Sequence, residues 1–247
     1  MLPAWIAVMA ISIDFVVIGL WFRYTDQSWG TPLIFSSTMI FLVRLAIAAV
    51  ILVWACRRYR VSAAALGMRP STILADFRWS FRICALGALI ITPTIAIGFA
   101  AALGLGIRLP APPDLFVQIF GGSWSVPHAI FMVGLGVTGN ILIAVTEELI
   151  YRSLLLPPLT CRLGLYAAVA VTAIVFGLAH VVPFLRVGFP VLEIIGGILM
   201  AAGFAIRWSV IPAMVIHAMG NLFAGMLAFV YVQLFKAYPA LFLNAPA

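Results

Sequence analysis

Charge is scarce in this chain of 247 residues. Only 9% are Asp, Glu, Lys or Arg, where a soluble domain carries about 25%. So few charges cannot cover a water-facing surface, and with 65% hydrophobic residues the chain must take lipid as its main solvent. Cysteine is equally sparse: Cys56, Cys84 and Cys161 show no paired spacing, which leaves no disulfide framework and no CxxC metal or redox motif. The zinc-protease signature HExxH does not occur. There is no internal repeat, which weighs against an inverted-repeat transporter, and no low-complexity stretch. The first apolar run lacks a basic leader and is interrupted by Asp14, so a retained first span is expected rather than a signal peptide.

What charge there is sums to +7, and its placement explains it. Arg57, Arg58, Arg60, Arg69, Arg78 and Arg82 fall in one connection against the single acid Asp76. By the positive-inside rule that connection is cytoplasmic, as is the N-terminus; with seven spans the C-terminus is outside. Arg152, Arg162 and Arg207 then fall near the same face. Nucleic-acid binding is not expected, because it needs a folded basic surface with stacking aromatics.

At about 20 apolar residues per crossing, seven candidate spans can be drawn. They cover 3–22, 32–55, 81–104, 127–156, 165–182, 191–206 and 210–234. The fourth is long enough to break in two, which would give eight. Backbone groups in hydrocarbon must be paired within the segment, and with no alternating-strand pattern the class is all-α, a polytopic helical bundle. A single membrane domain over 1–247 is expected. Segment 75–82 could lie as a short amphipathic helix at the interface, and 106–127, with Pro110, Pro112 and Pro113, reads as an irregular outer loop.

Before residue 140 the spans hold one acid, Asp14, and one base, Arg44. Beyond it the polar residues follow a helical spacing, and function should be sought there. Glu147 and Glu148 are adjacent at the end of an apolar run, where each ionised group costs about 2.5–3.5 kcal/mol on insertion scales. Arg152, four residues after Glu148, shares its helical face and can pair with it. Glu147 is rotated by about 100° and would be left to face a cavity. Spacing alone leaves the two acids interchangeable, and a plain charge cluster at the headgroups is the bland alternative. His180 follows Phe176 by four residues, so the phenyl ring could wall a pocket beneath the imidazole. A histidine there could equally be an interhelical hydrogen-bonder. His217 and Asn221 form another i, i+4 pair on one face, with a helix-packing contact as its alternative. His128, beside Pro127, reads as a cap or interfacial residue.

Together the three elements are harder to dismiss. A carboxylate with an imidazole can bind and deprotonate water. A second imidazole with an amide can donate to the oxyanion formed when that water attacks a carbonyl. That set suffices for amide hydrolysis without a protein nucleophile. A proton relay in a transporter and a non-catalytic membrane partner are the competing readings.

Glu147-Glu148-Leu-Ile-Tyr-Arg152, Phe176-Gly-Leu-Ala-His180 and His217-Ala-Met-Gly-Asn221 resemble, in order, the EExxxR, FxxxH and HxxxN motifs of the CPBP family. That family comprises type II CAAX prenyl endopeptidases and bacterial relatives with bacteriocin-processing or immunity roles. The resemblance covers about 125–230, the protease-type core, and leaves the helices over 1–105 as generic accessory spans. It implies an intramembrane endopeptidase in which Glu147 and His180 activate water and His217 and Asn221 form the oxyanion hole. Glu148 and Arg152 would orient the site, and Phe176 would line the substrate pocket. The family is usually described as metalloproteases. Glu147, His180 and His217 could hold Zn2+ or another divalent metal with one open position, in which case Glu148 is the natural base; metal-free activated water is the alternative. The implied partners are the bilayer and a membrane-associated, lipidated or signal-like peptide. The implied location is a bacterial cytoplasmic membrane, with the site nearer the cytoplasmic face.

Overall fold

A computed structural model of the chain describes residues 2–24, 31–112, 117, 120–121, 126–180 and 190–243. Every regular element among them is helical, and the sole bridge is an isolated parallel pair between Leu109 and Phe242. The helices are α1 (Trp5–Tyr24), α2 (Thr31–Tyr59), α3 (Ile73–Gly104), α4 (Val126–Glu148), α5 (Leu156–Leu163), α6 (Leu165–Ala179), α7 (Val191–Arg207) and α8 (Val210–Ala237). A π-helical segment, Leu149–Leu155, joins α4 to α5. All-α is the class that the apolar composition requires in lipid.

Among the described residues, three helical stretches are long and apolar enough to cross a membrane: Met39–Tyr59, Pro70–Gly104 and Val210–Ala237. Trp5–Ile18 and Leu165–Ala179 are apolar but shorter. The chain is an integral membrane protein. None of the most apolar window of Pro70–Gly104 is buried within the protein, as expected where lipid is the solvent. The segment 75–82 is not a separate interfacial helix but the first turns of α3, which continues unbroken to Gly104. The physical reason is that nothing between 73 and 92 stops a helix, and the Asp76 carbonyl takes the Ser80 hydroxyl at 2.6 Å.

The chain forms two compact units, 1–81 with 137–218 and 82–136 with 219–247. In the first, small residues bring α1 and α2 together: Ala7, Ala10, Ala48 and Ala55 are fully buried, beside Ile6, Ile51 and Leu52. Small side chains are what allow membrane helices to approach. The π segment packs against α1, α2, α5 and α6, and all seven of its residues are buried. Its wide turn has a local cause. Pro157 and Pro158 carry no N–H, so the carbonyls four residues earlier lose their donors, and the Leu156 amide reaches back five residues to Tyr151.

The arginine-rich connection is likewise structured. Gly67 ends a 3-10 turn at φ +81°, where a side chain would also collide with the Phe204 ring, and its carbonyl accepts from the Val210 amide at 2.9 Å. Buried Asp76 accepts from Thr72 Oγ1 at 2.6 Å and Arg207 Nε at 2.9 Å. This fastens the connection to the α7–α8 corner.

In the second unit, the segment expected as an outer loop is tied to α8. Tyr231 Oη donates to Pro110 O at 2.7 Å, Gln233 Nε2 to Phe120 O at 2.8 Å and Lys236 Nζ to Gly121 O at 2.6 Å.

Candidate active site

The two adjacent glutamates sit where α4 passes into the π segment, and their side chains part. Glu148 is fully buried. Arg152 Nη1 donates to its Oε1 at 3.2 Å, while Nε lies 3.0 Å from Oε2 without the alignment of a hydrogen bond. Arg152 Nη2 donates to the Gly197 carbonyl at 2.9 Å. That carbonyl is within reach because Gly197 has no side chain: a Cβ there would stand 2.9 Å from Ala173 Cα on α6. The Arg152 guanidinium carbon also lies 4.8 Å from the centre of the Phe176 ring, a cation–π contact that is strongest where water is absent. The expected pairing of Glu148 with Arg152 is therefore present.

His217 is the second partner of Glu148, with Nδ1 2.8 Å from Oε1. An ionised carboxylate only accepts, so Nδ1 carries the proton. The other ring nitrogen, Nε2, then lies 3.8 Å from Glu147 Oε2. His180 caps the C-terminal end of α6, where the last carbonyls of a helix lack backbone partners. Its Nδ1 takes one of them, Phe176 O, at 2.8 Å. A carbonyl cannot donate, so this nitrogen is also protonated, and His180 Nε2 lies 3.9 Å from the same Glu147 oxygen. Phe176 stands against both imidazoles, with ring centres 4.5 Å from His180 and 5.6 Å from His217, and meets Tyr151 edge-on at 5.3 Å.

Glu147 is not left to a cavity alone. Arg44 of α2 donates from Nη2 to Glu147 Oε1 at 3.1 Å, and is itself gripped by Asp14 of α1 through Nε–Oδ1 at 2.7 Å and Nη2–Oδ2 at 2.8 Å. Of the two Glu147 oxygens, Oε2 accepts no hydrogen bond from the described residues. Function was expected beyond residue 140, and the joining of Asp14 and Arg44 to Glu147 was not foreseen. The available signal was that Asp14 and Arg44 are opposite charges inside otherwise apolar spans, and such charges must find partners.

The structure thus gathers Glu147, Glu148, Arg152, Phe176, His180 and His217 in one unit. Asn221 follows His217 by four residues on α8 but belongs to the second unit. The side chain of His128 lies outside the described residues.

Glu147, His180 and His217 have the donor types of a zinc site. Yet no three His, Cys, Asp or Glu side chains among the described residues are grouped to hold an ion. Separations of 3.8 and 3.9 Å from Glu147 to the two imidazoles exceed the ~3.4 Å between donors on a tetrahedral zinc with bonds of ~2.1 Å. The Arg44 cation also occupies one side of the same carboxylate. The residues as arranged do not fit a metal.

Fold and site together define an all-α integral membrane protein with a buried cluster of acids, imidazoles and arginines. Residues 127–223 match the family model described as Type II CAAX prenyl endopeptidase Rce1-like. Over that stretch the chain is similar to this CAAX-type intramembrane protease family, in agreement with the resemblance of its three motifs. No curated protein and no solved structure matches the chain.

Proposed function

We propose that the protein is an intramembrane endopeptidase that hydrolyses a peptide bond of a membrane-associated substrate, lipidated in the CAAX manner or signal-like. The observation that carries this reading is the unpartnered Oε2 of buried Glu147, flanked by imidazole Nε2 atoms at 3.8 and 3.9 Å. Those gaps are too long for direct hydrogen bonds, and a water admitted between these groups is the proposed nucleophile. Such a water donates one hydrogen to Glu147 Oε2 and the other to the lone pair of His180 Nε2, leaving its own lone pair for the scissile carbonyl.

Attack forms the carbon–oxygen bond while Glu147, assisted by His180, takes the proton. Charge then develops on the carbonyl oxygen. His217 donates from Nδ1 to Glu148, so it can donate to that oxyanion from Nε2 only as imidazolium, with Glu148 as counter-ion. Collapse returns the proton to the amide nitrogen as the carbon–nitrogen bond breaks. Phe176 and Tyr151 form an apolar wall that keeps bulk water from the acids. The arginine-rich connection supports a site nearer the cytoplasmic face; a bacterial cytoplasmic membrane is the proposed location.

The test is cleavage of a farnesylated CAAX peptide and, separately, of a signal-like peptide by the purified protein in proteoliposomes. Glu147→Gln and His180→Ala are each expected to lower kcat by about 10²–10⁴. Wild-type rates in both variants would sink the reading.

A further inference from the structure

The acid proposed as base is held from outside the family-matched segment. Asp14 and Arg44 lie on α1 and α2, whereas the match begins at residue 127. The two are joined by parallel contacts of 2.7 and 2.8 Å, the fork-on-carboxylate geometry that fixes a guanidinium in both position and plane. Arg44 Nη2 has two hydrogens; one serves Asp14 and the other reaches Glu147 Oε1 at 3.1 Å. Arg44 is 95% buried. It is placed far more tightly than a surface ion pair, which holds little.

We infer that Asp14 and Arg44 are positioning residues for the reacting centre: by occupying Oε1 they leave Oε2 as the one Glu147 oxygen turned to His180 and His217. This rests on the proposal that Glu147 is the base. The charges agree with it. Glu147 and Glu148 are adjacent buried acids, and Arg152 serves Glu148 and Gly197. Among the described ion pairs, Arg44 is therefore the arginine that meets Glu147. Without it the carboxylate could rotate about its terminal bond, which is broad and roughly two-fold in glutamate, and would lose the fixed relation of Oε2 to the imidazoles. The α1–α2 pair is then part of the active site and not an accessory anchor.

The test uses the full chain in proteoliposomes, with steady-state kinetics and thermal unfolding measured on each variant. Arg44→Gln is expected to lower kcat about 100-fold with KM little changed, the scale of a small misplacement of a catalytic group. Arg44→Lys keeps the charge but not the fork, and should recover part of the loss, to about tenfold below wild type. Asp14→Asn, which loosens Arg44 without removing it, should fall between wild type and Arg44→Gln. A folded Arg44→Gln with wild-type kcat overturns the inference. Should Arg44→Gln not fold, Arg44→Lys and Asp14→Asn decide: reduced kcat at unchanged KM supports it, and wild-type kcat in both overturns it. Glu147→Gln assayed beside them separates the two levels. An active Glu147→Gln removes the base itself, whereas an inactive one beside a fully active Arg44→Gln overturns only the positioning role.

Discussion

Two regions of the first unit meet at Glu147, and they present their chemistry differently. The segment from Glu147 to His217 carries its polar residues at helical spacings, paired within a turn or two: Glu148 with Arg152, and His180 with the Phe176 carbonyl. The α1–α2 pair carries one charge on each helix, Asp14 and Arg44, thirty residues apart. Local order makes the first region readable as motifs, whereas the second acquires meaning only when its helices dock. A polar residue isolated in an apolar span therefore signals its partner by need, not by spacing.

Arg152 tests the motif side most severely. Arg152→Ala leaves Glu148 buried and without its arginine, which costs about 3–5 kcal/mol when one partner of a buried ion pair is removed. Loss of a cooperative unfolding transition in detergent, or a large drop in its midpoint, is the expected outcome. A stable Arg152→Ala would mean that His217 alone satisfies Glu148, and would erase the difference between a motif that holds the fold and a pair proposed to position the base.

A smaller effect is expected at Gly197. Its replacement by Ala drives a methyl to within 2.9 Å of Ala173 Cα and 3.2 Å of Ala173 Cβ. Overpacking of this kind costs about 1–3 kcal/mol, and it also displaces the carbonyl that serves Arg152. Thermal unfolding of Gly197→Ala should show that loss, with kcat falling along with it; an unaltered midpoint would show that α6 and α7 separate without strain.

The smallest effect is expected from metal removal. Because Glu147, His180 and His217 are spread too widely for a tetrahedral ion, chelation with 1,10-phenanthroline should leave proteolysis unchanged. Chelator-sensitive activity restored by zinc would instead draw those three residues together as ligands. The comparison would then shift, since Arg44 would be competing with the metal for Glu147.

Much of the fold was legible beforehand. The expected spans 3–22, 32–55, 165–182, 191–206 and 210–234 fall within a few residues of α1, α2, α6, α7 and α8, because in lipid an apolar run has little alternative to a helix. Over the fourth span, 127–156, α4 passes without a gap into the π segment, a geometry that was not foreseen; the Pro157-Pro158 pair was the available sign. At the site, the tie of Glu148 to Arg152 followed from four-residue spacing. That His217 would join Glu148 while facing Glu147 could not be read from spacing, since it depends on how α8 sets against the π segment.

The sequence by itself determined that the chain lives in lipid, that it is helical, and that acids, imidazoles and an arginine lie on particular helix faces. Those are consequences of composition and of 3.6-residue periodicity, which act locally. Only the tertiary structure decided which Glu147 oxygen accepts no hydrogen bond and that Arg44, 103 residues away, takes the other one. The physical reason is that buried charges are settled by whichever opposite charge the packing brings within hydrogen-bond reach, and packing is a property of the whole unit.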